Sequence, residues 1–252
     1  MENNTNIVYH YTGYEVLTKI LSKQQLRFTN LSLLNDTSEY TYALQLLKNK
    51  ISEFEVKNNI VNRFNLNLLN RFSFSKELYS VSFSEDGDSL GFWNSYYVPK
   101  NEGISLCFEI SKLFSPNEYK VNKCIYGDPY LEMSEERYMW FRQLFNNIHS
   151  IHKNKEYLHI TFQTAHIKDK SFQIENEWRA IGFAPQTVRI NYFERGNKQI
   201  PYFDYPINIK SLTNIIIGPS SIQEKIFRNV KALVENIGLE CNIKKSTIPF
   251  SL

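Results

Sequence analysis

Between Glu77 and Tyr126 the chain runs through β-type segments one after another: E-L-Y-S-V-S-F-S, L-G-F-W-N-S-Y-Y, G-I-S-L-C-F-E-I and Y-K-V-N-K-C-I-Y, the first two joined by the turn E-D-G-D. Strands that follow one another without a regular helix between them are not the pattern of a doubly wound α/β sheet, and an α+β fold is expected. The rest of the sequence agrees. I-V-Y-H-Y opens as a strand, and the pair Thr12 and Glu15 has the spacing of a capping box, which predicts a helix to about Ser22. L-R-F-T-N reads as a second strand. Asp36 and Glu39 repeat the capping pattern ahead of the amphipathic run Tyr40 to Leu47, and residues 51–74 continue as helix-compatible sequence.

Ser134, followed by Glu135 and Glu136, starts a further helix whose pattern runs with interruption to about His166. Beyond it a hairpin forms from T-V-R-I-N-Y-F and I-P-Y-F-D-Y around E-R-G-N-K. The buried run L-T-N-I-I-I, a helix from Ser221 with Glu224, and a last strand C-N-I-K-K complete the chain. No repeat, low-complexity tract or linker divides it. At 252 residues the expectation is one domain over 1–252, with residues 134–168 a helical insertion in it, large enough to bury a core without disulfides or metal.

Charge and cysteine usage narrow the class. Twenty-nine basic against 26 acidic residues give a net +3, too balanced for a protein that binds nucleic acid through bulk charge. Cys107, Cys124 and Cys241 are odd in number, far apart and set among apolar residues, as reduced core cysteines in a cytoplasmic protein would be. M-E-N-N-T-N-I-V has neither the basic nor the apolar part of a signal peptide, and no apolar run reaches a membrane span. A soluble intracellular protein is expected.

The segment S-F-Q-I-E-N-E-W-R-A-I-G-F, residues 171–183, poses the central chemical question. Read as one strand, it puts Phe172, Ile174, Trp178 and Ala180 on a core face and Gln173, Glu175, Glu177 and Arg179 on the other, with the two carboxylates about 7 Å apart. That polar face is either solvated, with Arg179 neutralising Glu177, or the acidic part of a site. Elsewhere, familiar sites are absent: there is no G-x-G-x-x-G, G-x-x-x-x-G-K, H-E-x-x-H or G-x-S-x-G. Gly218 in G-P-S-S reads as ordinary helix initiation. His149, His152, His159 and His166 read as solvated helix positions, with no third ligand to make a metal site. His10 differs, because it closes a predicted strand where the chain turns into a helix, between Tyr9 and Tyr11.

Taken together, Y-H-Y-T at 9–12, I-L-S-x-x-x-L-R at 20–27, L-N-D-x-x-E at 34–39, S-F-S-x-x-x-D at 82–88, W-x-x-Y at 93–96, F-x-x-E-x-E-W-R at 172–179 and I-I-G-P at 216–219 form an ordered series spanning nearly the whole chain. The series resembles a bacterial family of unknown function. More distantly, a strand ending in H-x-T before a helix, an S-F-S strand and a late E-x-E resemble the ADP-ribosyltransferases, including the DarT-like modifiers of nucleic acid. E-x-E is also similar to the arginine-modifying branch, whose S-T-S strand is approximated by Ser82-Phe83-Ser84. No Arg opens the first strand here.

That second resemblance implies a central, mostly antiparallel split sheet with flanking helices, NAD as substrate, a macromolecular acceptor, protein or nucleic acid, and no metal or membrane. It implies Glu177 and Glu175 as catalytic carboxylates, and His10, Thr12, Ser82, Ser84 and one or both of Tyr96 and Tyr97 as cofactor-binding residues. Breaking the nicotinamide-ribose bond builds oxocarbenium charge, which Glu177 would stabilise while Glu175 orients or deprotonates the acceptor. A toxin or antiphage role would follow from such a reaction. A non-catalytic binding module on the same fold, or a metal-dependent nuclease using Glu175 and Glu177, would explain the same residues.

Overall fold

The computed structural model describes residues 7–33, 38–70, 78–94, 102–115, 119–129, 133–146, 162 and 164–249. In chain order the elements are β1 (Ile7–Gly13), α1 (Tyr14–Lys23), β2 (Gln25–Asn30), α2 (Ser38–Lys57), α3 (Asn67–Asn70), β3 (Leu78–Ser84), α4 (Leu90–Phe92), β4 (Gly103–Glu109), α5 (Ile110–Leu113), β5 (Val121–Lys123), β6 (Ile125–Tyr126), α6 (Glu135–Asn146), β7 (Ile167–Lys168), β8 (Glu177–Phe183), β9 (Asn191–Arg195), β10 (Lys198–Pro206), β11 (Leu212–Ile217), α7 (Gln223–Asn236) and β12 (Asn242–Lys245). The α+β reading holds, and no helix among the described residues is long and apolar enough to cross a membrane.

Ten strands form one sheet in the order β12-β11-β4-β1-β3-β2-β10-β9, with β8 added to β3 and β5 to β8. Only β11 and β12 pair in parallel within it; β6 and β7 make a separate parallel pair. The branch at β3 is the key to the architecture. One edge of β3 is zipped along its whole length to β8, from Leu78↔Phe183 to Ser84↔Glu177. The opposite edge is divided between two strands. β2 takes its start, at Thr29↔Ser80 and Asn30↔Tyr79, and β1 takes its end, at Tyr9↔Ser84. Residues 81–83 lie in the fork between them. The sheet is therefore split, as the more distant resemblance implied.

Each face of the sheet has its own core. One is built on Val8, Phe28, Val81, Phe83, Leu106, Ala180 and Phe203 and is covered by α1 and α7. Helix α1 presents Leu17, Ile20 and Leu21, a three-and-four spacing that makes one apolar stripe. It stops at Gln24, in the left-handed region at φ 52°, whose N–H donates to the Ile20 carbonyl, so β2 starts at once. Aromatic residues make up 15% of the sequence, and several of them meet here. Phe28 stacks on Phe203 at 5.1 Å and 8° and meets Tyr119 and Phe114, while Tyr205 closes the group edge-on. These rings are core, each adding on the order of 1 kcal/mol beyond area burial.

The second face carries Leu78 and Ile181 beneath Leu31 and Ala165, and beside them Ala43, Leu47 and Ile51 of α2 meet Tyr138 and Phe141 of α6 and Ile167 of β7. Leu47 is fully buried, and truncating it to Ala would cost about 2–5 kcal/mol.

Local expectations differ in several places. Leu90–Phe92, read as part of a β-type segment, is helix α4, and α2 ends at Lys57, so the helix does not run on through 58–66. The N-cap of α1 is Gly13, not Thr12, and no side chain caps it; the Tyr14 N–H donates instead to the Glu102 carbonyl. Thr12 stays in β1, paired opposite Ile104, because the β1–β4 ladder runs through Gly13 and outcompetes a local cap. The helix begun at Glu135 is seen to Asn146. Ala165 and His166 lie in a turn, and the chain is a strand at Ile167.

Candidate active site

The segment 171–183 is not one strand. Asp169 accepts from the Ser171 N–H and caps a 3₁₀ turn over Lys170–Glu175, which ends at Asn176 with φ 41°. Strand β8 starts only at Glu177. Local turn chemistry, an Asp two residues before a Ser and an Asn able to adopt the left-handed region, overrides the alternating pattern. Ile174 is accordingly 80% exposed instead of buried in a core.

This turn folds Glu175 back over Glu177. Lys168, delivered by β7, donates from Nζ to Glu177 Oε2 at 2.6 Å and also to Glu175 Oε2. Arg179 donates from Nε to Glu177 Oε1 at 2.7 Å and from Nη2 to Glu177 Oε2 at 2.9 Å, while its Nη1 reaches the Ala165 carbonyl. The Glu177 N–H donates to the Tyr126 hydroxyl at 2.7 Å, and Ser84 Oγ donates to the Glu175 carbonyl. The neutralisation of Glu177 by Arg179 is thus present, but the pair is not solvated: side-chain exposure is 7% for Glu177, 4% for Arg179 and 3% for Lys168, against 24% for Glu175. Burial alone would raise the Glu177 pKa, but Arg179 and Lys168 hold it at about 2. Burial pushes the Tyr126 phenol up to about 12.

The fork is the other half of the picture. His10 Nδ1 lies 3.0 Å from the Ser82 carbonyl, bridging β1 to β3 where no ladder joins them, and its ring meets Phe83 edge-on at 5.7 Å. Burial lowers the His10 pKa, partly offset by that carbonyl, so the imidazole is neutral at pH 7. Ser82 is exposed, so the face of β3 that carries its side chain is uncovered beside the gap in pairing between β2 and β1. Beside it, the loop after β3 folds over Tyr9 and Tyr11. Tyr11 donates to the Asp86 carbonyl, stacks on Phe92 at 4.6 Å and meets Trp93, and Trp93 Nε1 donates to Asp88 Oδ1 at 2.8 Å.

The residues singled out from sequence are therefore sorted by the ladders. The row Tyr9–Ser84–Glu177 fixes Ser82, Ser84 and Glu177 on one face of the sheet, and Glu175 comes to that face through Lys168. His10 and Thr12, one residue out of phase with Tyr9, belong to the opposite face, with Val8 and Phe83. His10 and Glu177 do not share a face. Ser84 is 1% exposed and is spent on the backbone, donating to the Glu175 carbonyl and accepting from the Asp86 N–H. Tyr96 and Tyr97 lie outside the described residues, as do His149, His152 and His159.

His166 is buried, not solvated; its Nδ1 lies 2.6 Å from the Phe162 carbonyl and its Nε2 3.4 Å from the Arg179 carbonyl. Trp93 is buried, and Trp178 packs against the core, on the face its alternation gave it, while donating to Glu85. Gly218 makes a close approach: a Cβ there would lie 2.9 Å from the Trp93 ring, and its N–H donates to the Gly103 carbonyl. Lys168 and Tyr126 had no sequence signal, since each arrives from a two-residue strand, Tyr126 from 51 residues and Lys168 from 9 residues before Glu177, the latter brought back by the intervening turn.

The class defined by fold and site is an α+β protein with a forked sheet and a buried acid–base cluster beside the fork. No protein-family model and no curated protein matches the chain, so the bacterial family that the motif order resembles is not shown for it. Among solved structures, it is similar to DarT of Thermus sp. 2.9 in complex with NAD+, at 10% identity and TM-score 0.40 over 97% of each chain. It is similar also to that DarT in complex with ADP-ribosylated ssDNA, at 11% identity and TM-score 0.38 over 96% of this chain and 94% of that one.

Proposed function

We propose that this chain binds NAD at the fork and transfers ADP-ribose to a macromolecular acceptor, protein or nucleic acid. The observation that carries the reading is the opening itself: an exposed Ser82 in mid-strand, with a neutral His10 anchored to the Ser82 carbonyl through Nδ1. A backbone left unpaired between two strands offers donors and acceptors to a ligand, and a neutral imidazole can hydrogen-bond a ribose hydroxyl. In the reaction the C1′–N bond breaks, nicotinamide leaves with the electron pair, and an acceptor oxygen or nitrogen bonds to C1′ as it releases its proton.

The weights of the two carboxylates change. Both oxygens of Glu177 are engaged by Arg179 and Lys168, so it serves as fixed charge behind the site. Glu175 is the more accessible carboxylate and the one able to meet positive charge developing on the nicotinamide ribose, which requires NAD to pass through the fork with that ribose on the Glu175 face and its other ribose on the His10 face. A toxin or antiphage role follows if the acceptor is essential to a cell or a phage.

Calorimetry with millimolar NAD and an assay of NAD consumption test the reading. Binding and turnover are expected, with Glu175→Gln losing turnover at least about tenfold while its circular dichroism spectrum is unchanged. A well-folded protein that neither binds nor consumes NAD overturns it. A non-catalytic module is the second reading, favoured by the placement of His10 and Glu177 on opposite faces; binding without turnover would establish it. The nuclease reading loses its site, because the Lys168 ammonium occupies the place between the carboxylates that a divalent ion would need.

A further inference from the structure

The structure assigns Lys168 as a positioning residue that aims Glu175 and keeps it ionised by bridging it to Glu177. Two carboxylates two residues apart are held against each other by the turn at Asn176, and unshielded like charges at that separation push one of the pair toward its neutral form. The four side chains instead alternate in sign along one chain of contacts, Glu175, Lys168, Glu177, Arg179, with Glu175 the most exposed of them. Removing Lys168 leaves Glu177 still held by two guanidinium bonds, so the burden falls on Glu175.

Around the pair, β3 contributes the Ser84 hydroxyl, β6 the Tyr126 phenol, β7 Lys168 with His166 before it, and β8 Glu177 and Arg179. Cys124 contributes its N–H, which donates to the Glu177 carbonyl. The Tyr126 phenol is held neutral by burial, and His166 is held neutral the same way. Phe172 lies 5.1 Å beneath the Lys168 ammonium and closes its outer side. Among these groups Lys168 is the cation that bonds both carboxylates.

As a statement about catalysis this rests on the NAD-consuming reading; as a statement about electrostatics it does not. The test compares the parent with Lys168→Met, close in shape and uncharged, and with Lys168→Arg. The acidic limb of the pH profile of NAD consumption is expected to move up by about one pH unit or more in Lys168→Met and to return in Lys168→Arg. A thermal midpoint that falls with no movement of the limb means a merely structural lysine and overturns the assignment. If the parent consumes no NAD, the functional reading fails on its own. The assignment is then decided by the carbon-13 titration of the Glu175 carboxyl, whose midpoint rises in Lys168→Met or, staying put, overturns it. Should Lys168→Met not fold, nitrogen-15 spectra of the parent decide. A protected lysine ammonium resonance lost in Glu175→Gln supports the bridge, and a parent without such a resonance overturns it.

Discussion

Two regions flank β3, and they treat polar groups in opposite ways. On the β8 side the ladder is complete from Leu78 to Ser84, and the polar side chains there are sealed in and spent on one another: Glu177 on Arg179 and Lys168. On the other side the ladder is interrupted between β2 and β1, and there Ser82 is exposed and His10 bonds a backbone carbonyl. The contrast teaches that charge alone does not mark a site. A buried, fully paired carboxylate is an anchor, whereas a gap in backbone pairing leaves groups for a partner outside the protein.

The difference is sharpest where an anchor is removed. Glu177→Ala leaves Lys168 and Arg179 buried without their carboxylate and is expected to cost about 3–5 kcal/mol in urea denaturation. A loss under about 1 kcal/mol would mean the cluster is wet, like the fork.

Acid should act on the same side of β3. The Glu177 pKa is lowered from 4.5 to about 2, so its stabilisation is complete above 4.5 and is lost as pH falls toward 2. The linked loss is roughly 3 kcal/mol, measurable as a falling urea midpoint that is flattened in Glu177→Gln.

Gly87 tests the loop that roofs Tyr9. A Cβ there would lie 2.3 Å from the Tyr9 ring, so Gly87→Ala must displace either the ring or the loop, at about 1–3 kcal/mol in the same assay. Stability unchanged by this substitution would show the loop to be loosely seated.

The smallest stability effects belong to the fork. Ser82→Ala is expected to stay within about 0.5 kcal/mol of the parent. His10→Asn should lower NAD affinity by about tenfold in calorimetry, the worth of one hydrogen bond, with little change in the unfolding midpoint. The reverse outcome, large destabilisation with NAD affinity intact, would make the fork structural and erase the contrast.

How much of this was legible differs by kind of feature. Strands β3 and β4, the β9–β10 hairpin, β11 and α7 could be read because their apolar periodicity is local and strong, whereas Leu90–Phe92, read as β-type, is helical. Segment 171–176 misled because its alternation is that of a strand while D-x-S and Asn176 encode a turn. His166 misled because nothing in its neighbourhood reveals that β6 and β8 close over it.

By itself, the sequence determined the α+β class, the succession of antiparallel strands and the residue types at hand, since these rest on near-neighbour patterns that any packing must satisfy. Tertiary structure alone decided that β1 and β2 share one edge of β3, that His10 and Glu177 fall on opposite faces, and that Lys168 enters between two acids. Those outcomes depend on register, and one residue of phase between strands far apart in the chain sends a side chain to the other face.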